Sequence, residues 1–333
     1  MNRSGILSAS EVLSLARKRA EAHSVLADMR RPFRFLLCGD PALISELRAT
    51  LLAGHPGENI PLEAAATLET IDPSRMQAMP GSDARAVIFL GRPGDRDGAR
   101  LDYVTPLKLP VFAVTVDPDS PPSGPPSAPQ PGAIGDYVVP RLDREALRQH
   151  VFGHLVERCK GVEIVVGRNL PAMREAVAAR LTRNAASSAL KIAAASAVVD
   201  HVPVLGVVLG AVASAGDMVA ITGIQIALLM QIGATYGKDP DVSQIWELLP
   251  IVGGGFGWRM LSRELSGFIP VAGIAIKGAI AYAGTIVVGE GVSFYYAEGR
   301  HMTKAQAAQL YEETKRAGTQ FARDMYTRFR NKQ

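Results

Sequence analysis

The segment PVLGVVLGAVASAGD, Pro203 to Asp217, returns further along as PVAGIAIKGAIAYAGT, Pro270 to Thr285. Both copies read PV-x-G and, a few residues later, GA-x-A-x-AG, so particular small residues recur and not hydrophobicity alone. Glycine costs a water-exposed helix about 1 kcal/mol relative to alanine. Such a segment is therefore stable as a helix only where its small face lies against another helix. Proline suits the first turn, where its missing N–H breaks no internal hydrogen bond. Each copy is thus expected to be a helix entered through Pro203 or Pro270 and packed through Gly206 and Gly210, or Gly273 and Gly278.

Either lipid or a protein core can shield these segments. The run MVAITGIQIALLMQIGATYG, residues 218 to 237, holds twenty residues without a charge, enough for a helix to reach across the ~30 Å of a bilayer core. A second candidate span covers 267 to 289, interrupted by Lys277. In a soluble bundle Asp217, Gln225 and Lys277 would instead be buried polar groups with partners. The hydrophobic fraction of 47% and the GxxxG spacing of Gly206 with Gly210 and of Gly253 with Gly257 favour lipid. The expectation is a membrane protein with transmembrane helices at the inner (cytoplasmic) membrane, its soluble domain and C-terminal tail in the cytoplasm. Membrane lipid and a protein are the expected partners, with a homo-oligomer also open.

Charge separates the two halves. Bases and acids balance at 19 and 19 through residue 160, whereas 17 bases face 13 acids beyond it. The surplus is small and interspersed, with no accompanying aromatic stripe, so nucleic acid is not an expected partner. Cys38 and Cys159 lie in apolar runs and read as reduced core thiols. Residues 1 to 32 suggest a basic amphipathic helix, and they lack the continuous apolar stretch of an export signal.

The first half reads as α/β. In FRFLLCGDPALISELRATLLAG, residues 33 to 54, a buried strand passes through a turn into a helix with Asp40 as N-cap, Pro41 in the first turn and Gly54 as stop. AVIFLG (86 to 91), LPVFAVTV (109 to 116) and DYVVP (136 to 140) are short apolar runs of the kind found in parallel sheets, and a helix follows from Asp143. Between the last two strands DPDSPPSGPPSAPQPG, residues 117 to 132, suggests a polyproline-like surface loop, a disordered insertion. After Gly167 the chain reads as helix almost throughout. It ends in a helix with a Thr303 and Gln306 capping box and an apolar face of Leu310, Ala317, Phe321, Met325 and Phe329.

Strand, glycine, helix is also how a GTP-binding domain begins. Counted from Gly39, a phosphate-binding loop needs Gly, Lys and Ser or Thr at 44 to 46, where this chain has Ile44, Ser45 and Glu46. Gly39, Asp40, Ser45 and Glu46 thus form a degenerate site with no cation for the phosphates and a carboxylate in place of a magnesium-binding hydroxyl. Asp95 to Gly98 fits D-x-x-G, and Asp119 stands where a guanine-reading aspartate could sit. No cofactor and no metal are expected. No catalytic group emerges, because the six histidines stand outside any hydrolase or zinc-protease motif.

LPAMREAVAARLTRNAA (170 to 186), GDMVAITGIQIALLMQIGATYG (216 to 237), FGWRMLSRELSGFIP (256 to 270) and KGAIAYAGT (277 to 285) together resemble the YcjF-like helical domain, an uncharacterised bacterial family often fused to, or encoded beside, GTP-binding domains. The resemblance covers residues 165 to 300 and implies a membrane-associated, mostly helical domain without assigned activity. The expected protein is a degenerate G-domain-like α/β domain (33 to 160) joined to a glycine-rich all-α domain (161 to 333). It would act as a non-catalytic, membrane-associated interaction or organising protein. A GTPase-type switch and a soluble helical binding module are the alternatives.

Overall fold

The computed structural model describes residues 20, 22–54, 60–72, 81–95, 101, 104–199, 206–240 and 273–330; side chains are described within these except at 194–199, 206–219, 273–277 and 321–330. The chain forms two compact units. One comprises Ala27–Arg180 with Ala234–Gly237, and the other Leu181–Gly233 and Lys238–Gln333 with Met1–Leu26.

The first unit is built on a parallel sheet of β1 (Arg34–Gly39), β2 (Leu68–Thr70), β3 (Ala84–Gly91), β4 (Val111–Val116) and β5 (Ile134–Val139), in the spatial order β2-β1-β3-β4-β5. The central strands are continuous apolar runs because both faces of the sheet are covered; β4 is buried at every residue. β5 lies at the edge and alternates exposed with buried residues over its first half. Helix α1 (Pro41–Leu52) turns Leu43, Ile44, Leu47 and Leu51 into the core. It ends on Ala53 in an extended conformation, so Gly54 is not its stop. Two further helical segments follow the sheet: α2, which runs from Arg144–Leu147 through a π-turn at Arg148–Phe152 to Gly153–Glu157, and α3 (Glu163–Asn169). The aromatic core includes Phe35, Phe112, Tyr137 and Phe152, with Phe112 and Tyr137 stacked 5.5 Å apart. The strand β2 has no signature in the sequence, since three residues are too few to show alternation.

The proline-rich stretch is an ordered strap, not a disordered insertion. The Ser123 amide donates to the Val138 carbonyl at 3.0 Å, and the Val138 amide donates back to the Ser123 carbonyl at 2.9 Å. Arg158 holds the far end, its Nη2 donating to the Ala128 carbonyl at 2.6 Å and its Nη1 to Gln130 Oε1 at 3.3 Å. Ala128 and Pro129 are buried. Proline cannot extend a ladder, so the strap covers part of the outer side of β5 without itself offering a strand.

The second unit is helical. It contains most of α4 (Arg174–Val199), nearly all of α5 (Gly206–Thr235), and α6 (Gly273–Glu298) and α7 (Lys304–Arg330). α5 and α6 each begin at the first glycine of their repeat copy; Pro203 and Pro270 lie outside the described residues. Small side chains bring the helices together: Ala189 and Ala193 of α4 meet Ile221 of α5 and Ala281 of α6. A Cβ at Gly318 of α7 would lie 3.3 Å from the Cα of Ala279. The capping box opens α7 as the sequence suggests, with the Gln306 amide donating to Thr303 Oγ1 at 3.2 Å and the Thr303 amide to Gln306 Oε1 at 3.0 Å. The seam of α7 differs from the expected stripe. Tyr311 and Gly318 are buried while Ala317 is exposed.

The membrane expectation is corrected here. Among the described residues no helix is long and apolar enough to cross a membrane, which overturns the transmembrane helices and the inner-membrane location inferred from them. A helix in lipid would display large apolar side chains outward. Among the described residues only Leu62 and Ile134 are exposed large hydrophobics, and both belong to the α/β unit. On α5, Leu228, Leu229, Met230 and Ile232 are buried by protein.

Candidate functional site at the C-terminal edge of the sheet

In an open parallel sheet, ligands bind beyond the carboxyl ends of the strands where the strand order reverses. Here that point lies between β1 and β3, and Gly39 with Asp40 and Gly91 with Arg92 stand at its two sides. Gly39 takes φ +112°, so that the next amide, Asp40 N–H, donates to the Leu90 carbonyl at 2.9 Å. A Cβ at Gly39 would fall on that same carbonyl oxygen.

β1 ends at Gly39 and α1 starts at Pro41, so Asp40 alone connects strand to helix. A loop that wraps phosphate needs several residues at this place. Asp40 does what a bound anion would do: its Oδ1 accepts the amides of Ala42 at 2.7 Å and Leu43 at 3.3 Å. The Ala42 hydrogen bond is the largest influence holding the Asp40 carboxyl below the usual carboxylate range, with Arg92 adding to it. Arg92 Nε lies 3.5 Å from Asp40 Oδ2. The helix N-terminus, its positive end, is thus filled by the chain's own carboxylate.

The other residues singled out at this end fall into place around it. Ile44 is core, Ser45 is exposed and its hydroxyl donates back to the Pro41 carbonyl at 3.0 Å, and Glu46 faces solvent. Asp95 Oδ2 accepts the Arg92 amide at 2.8 Å; Gly98 lies outside the described residues. Asp119 is exposed beyond β4, and its amide donates to Asp117 Oδ1 at 3.1 Å. The Asp117 carboxylate also accepts the Ser120 hydroxyl at 2.5 Å, which is the main reason its pKa lies below the ordinary value. The structure therefore joins Asp40 to Arg92, and Arg92 through its amide to Asp95. Arg92 and Asp117 carried no motif, and their roles depend on loop geometry that spacing does not reveal.

Among the described residues no group of three or more His, Cys, Asp or Glu is placed to hold a metal ion. Cys38 and Cys159 are free and buried; burial pushes the Cys38 thiol up to about 12 and the Cys159 thiol higher still.

The remaining residues named from the sequence belong to the helical unit. Gly278 faces Leu190 of α4, where a Cβ would sit 3.4 Å from Leu190 Cγ. Gln225 is buried, its Nε2 donating to Thr285 Oγ1 at 3.3 Å, and that hydroxyl donates to the Ala281 carbonyl at 2.8 Å. Gly206, Gly210, Asp217, Gly273 and Lys277 lie in helical backbone whose side-chain surroundings are outside the described residues. Sequence reading missed the tightest glycine among the described residues of this unit: a Cβ at Gly289 would lie 2.8 Å from the Cβ of Thr182 and closer to its hydroxyl.

No family model, no curated protein and no solved structure matches the chain.

Proposed function

We propose that this chain is a non-catalytic interaction or organising protein whose α/β unit is a degenerate G-domain-like module with its nucleotide position closed from within. The observation that carries the proposal is the Asp40 carboxylate on the amides of Ala42 and Leu43, across a strand-to-helix connection one residue long. A phosphate approaching this helix would meet a negative charge already seated, with Glu46 on the next turn and no lysine beside it. Kinship of the helical region with the YcjF-like domain forms part of the same proposal, and so does a protein partner.

Calorimetric titration of the full chain with GTP and with GDP, in the presence of magnesium, tests this reading. The expected result is no saturable binding and no GTP hydrolysis above the uncatalysed rate. Stoichiometric binding of either nucleotide would overturn it in favour of a switch protein.

A further inference from the structure

The strap over β5 holds more proline than an edge cover needs. One residue, Ser123, makes the two-way bridge to Val138, and the buried anchor is Ala128 with Pro129. Pro121, Pro122 and Pro126 are exposed, and Pro125 is half-buried. P-x-x-P spacing recurs along the stretch at Pro118 and Pro121, Pro122 and Pro125, and Pro126 and Pro129.

Backbone physics makes the middle of this strap stiff. Each proline fixes its own φ, and the residue before a proline is pushed to extended conformations. Within 121 to 125 both restrictions fall on Pro121 and Pro125, one falls on Pro122 and on Gly124, and neither on Ser123, which leaves the Pro122–Ser123 link as the place where the chain could turn. The bridge to Val138 holds the chain at that link. Gly124 lets the strap lie directly on the Tyr137 ring, since a Cβ there would come within 3.1 Å of Tyr137 Cδ1.

We propose that residues 121 to 125 are a docking ligand, presented ready-made to a partner domain with an aromatic-lined groove of the kind that reads polyproline helices. Such grooves recognise exposed proline rings on an extended, hydrogen-bond-poor backbone. A free proline-rich peptide still loses some freedom on binding, whereas here folding has already fixed the backbone. No charge lies between Asp119 and Asp136, and Asp119 is exposed at the N-terminal end. The matching groove is therefore neutral along its length with a cationic flank at that end. The proposal rests on the reading of the chain as an interaction protein and names the chemistry of its partner.

Binding of the full chain, and of a synthetic peptide of residues 117 to 132, to immobilised SH3 and WW domains provides the test. The expected result is that at least one domain binds the full chain on the order of tenfold more tightly than the peptide. The triple variant P121A/P122A/P125A should lose this binding. Gly124→Val, which keeps every proline but lifts the strap off Tyr137, should fall to the level of the peptide. The comparison of native chain with peptide does not depend on how any variant folds. No binding to any of the domains, binding unaffected by the triple variant, or a peptide as tight as the full chain would each overturn the proposal. Nucleotide binding would instead sink the reading of the α/β unit as closed, and is scored separately.

Discussion

Among the described residues each unit has one glycine where main chain comes closest to its surroundings, Gly39 in the α/β unit and Gly289 in the helical unit, and the two meet different kinds of neighbour. In the α/β unit the neighbour of Gly39 is a backbone carbonyl, that of Leu90, fixed in the β1–β3 ladder. In the helical unit the neighbour of Gly289 is the Thr182 side chain, and that of Gly278 is Leu190. A backbone neighbour cannot be trimmed by mutation, while a side-chain neighbour can. The sheet unit should therefore be brittle at its glycine and the helical unit repairable at its own.

The sharpest way to break this contrast is Gly39→Ala. It combines a left-handed backbone angle with a clash against Leu90 O, and should destabilise the α/β unit by about 4 kcal/mol. No substitution at Leu90 should restore it. Chemical denaturation of the variant checks this, and a loss below about 1 kcal/mol would show that the turn can relax.

Gly289→Ala should cost about 2 kcal/mol by overpacking. Here a second change, Thr182→Ala, should recover most of the loss. The Thr182 hydroxyl is buried with no hydrogen-bond partner among the described residues, so its removal costs little. A double-mutant cycle read by thermal melting measures the coupling. Additive losses would place the two residues out of contact and erase the contrast between the units.

The smallest effect is electrostatic and confined to the sheet unit. Asp40 has a folded pKa below its ordinary 3.8, chiefly through the Ala42 amide. Its contribution is therefore complete above that ordinary value and is lost as pH falls through the folded one. Asp40→Asn keeps a good N-cap without the charge. The melting temperature of the parent should accordingly fall more steeply than that of the variant as the pH is lowered below that ordinary value. Parallel curves would mean that the cap carries no charge-dependent stability.

What was legible in the sequence follows from how local each signal is. Asp40 and Pro41 announce the start of α1, and Thr303 with Gln306 the start of α7, because capping is decided within four residues. Strands β1, β3 and β4 show themselves through the apolar runs FLLC, AVIFL and VFAV that they carry. The same hydrophobicity misled in the helical unit. A run such as 218 to 237 suits lipid or a protein interior equally well by composition, and the burial of Leu228 and Ile232 separates the two only in three dimensions. Proline content likewise reads as disorder until Ser123 is seen bonded to Val138. At the sheet edge Gly39 and Asp40 were visible, but Arg92 joins Asp40 from the end of another strand.

On the proposed reading of the α/β unit, the single-residue passage from β1 to α1 also sets its distance from a phosphate-binding loop. Ser45, where a phosphate-binding lysine would be counted, lies on the exposed side of the second turn of α1, and Ile44 beside it is committed to the core. Rewriting residues 44 to 46 as Gly, Lys and Ser would thus alter a helix surface and open a hole beneath it, leaving the connection as short as before. What is missing is length between Gly39 and Pro41. On the proposed reading, giving this helix a phosphate-binding loop would take an insertion there and not the point changes at 44 to 46 alone.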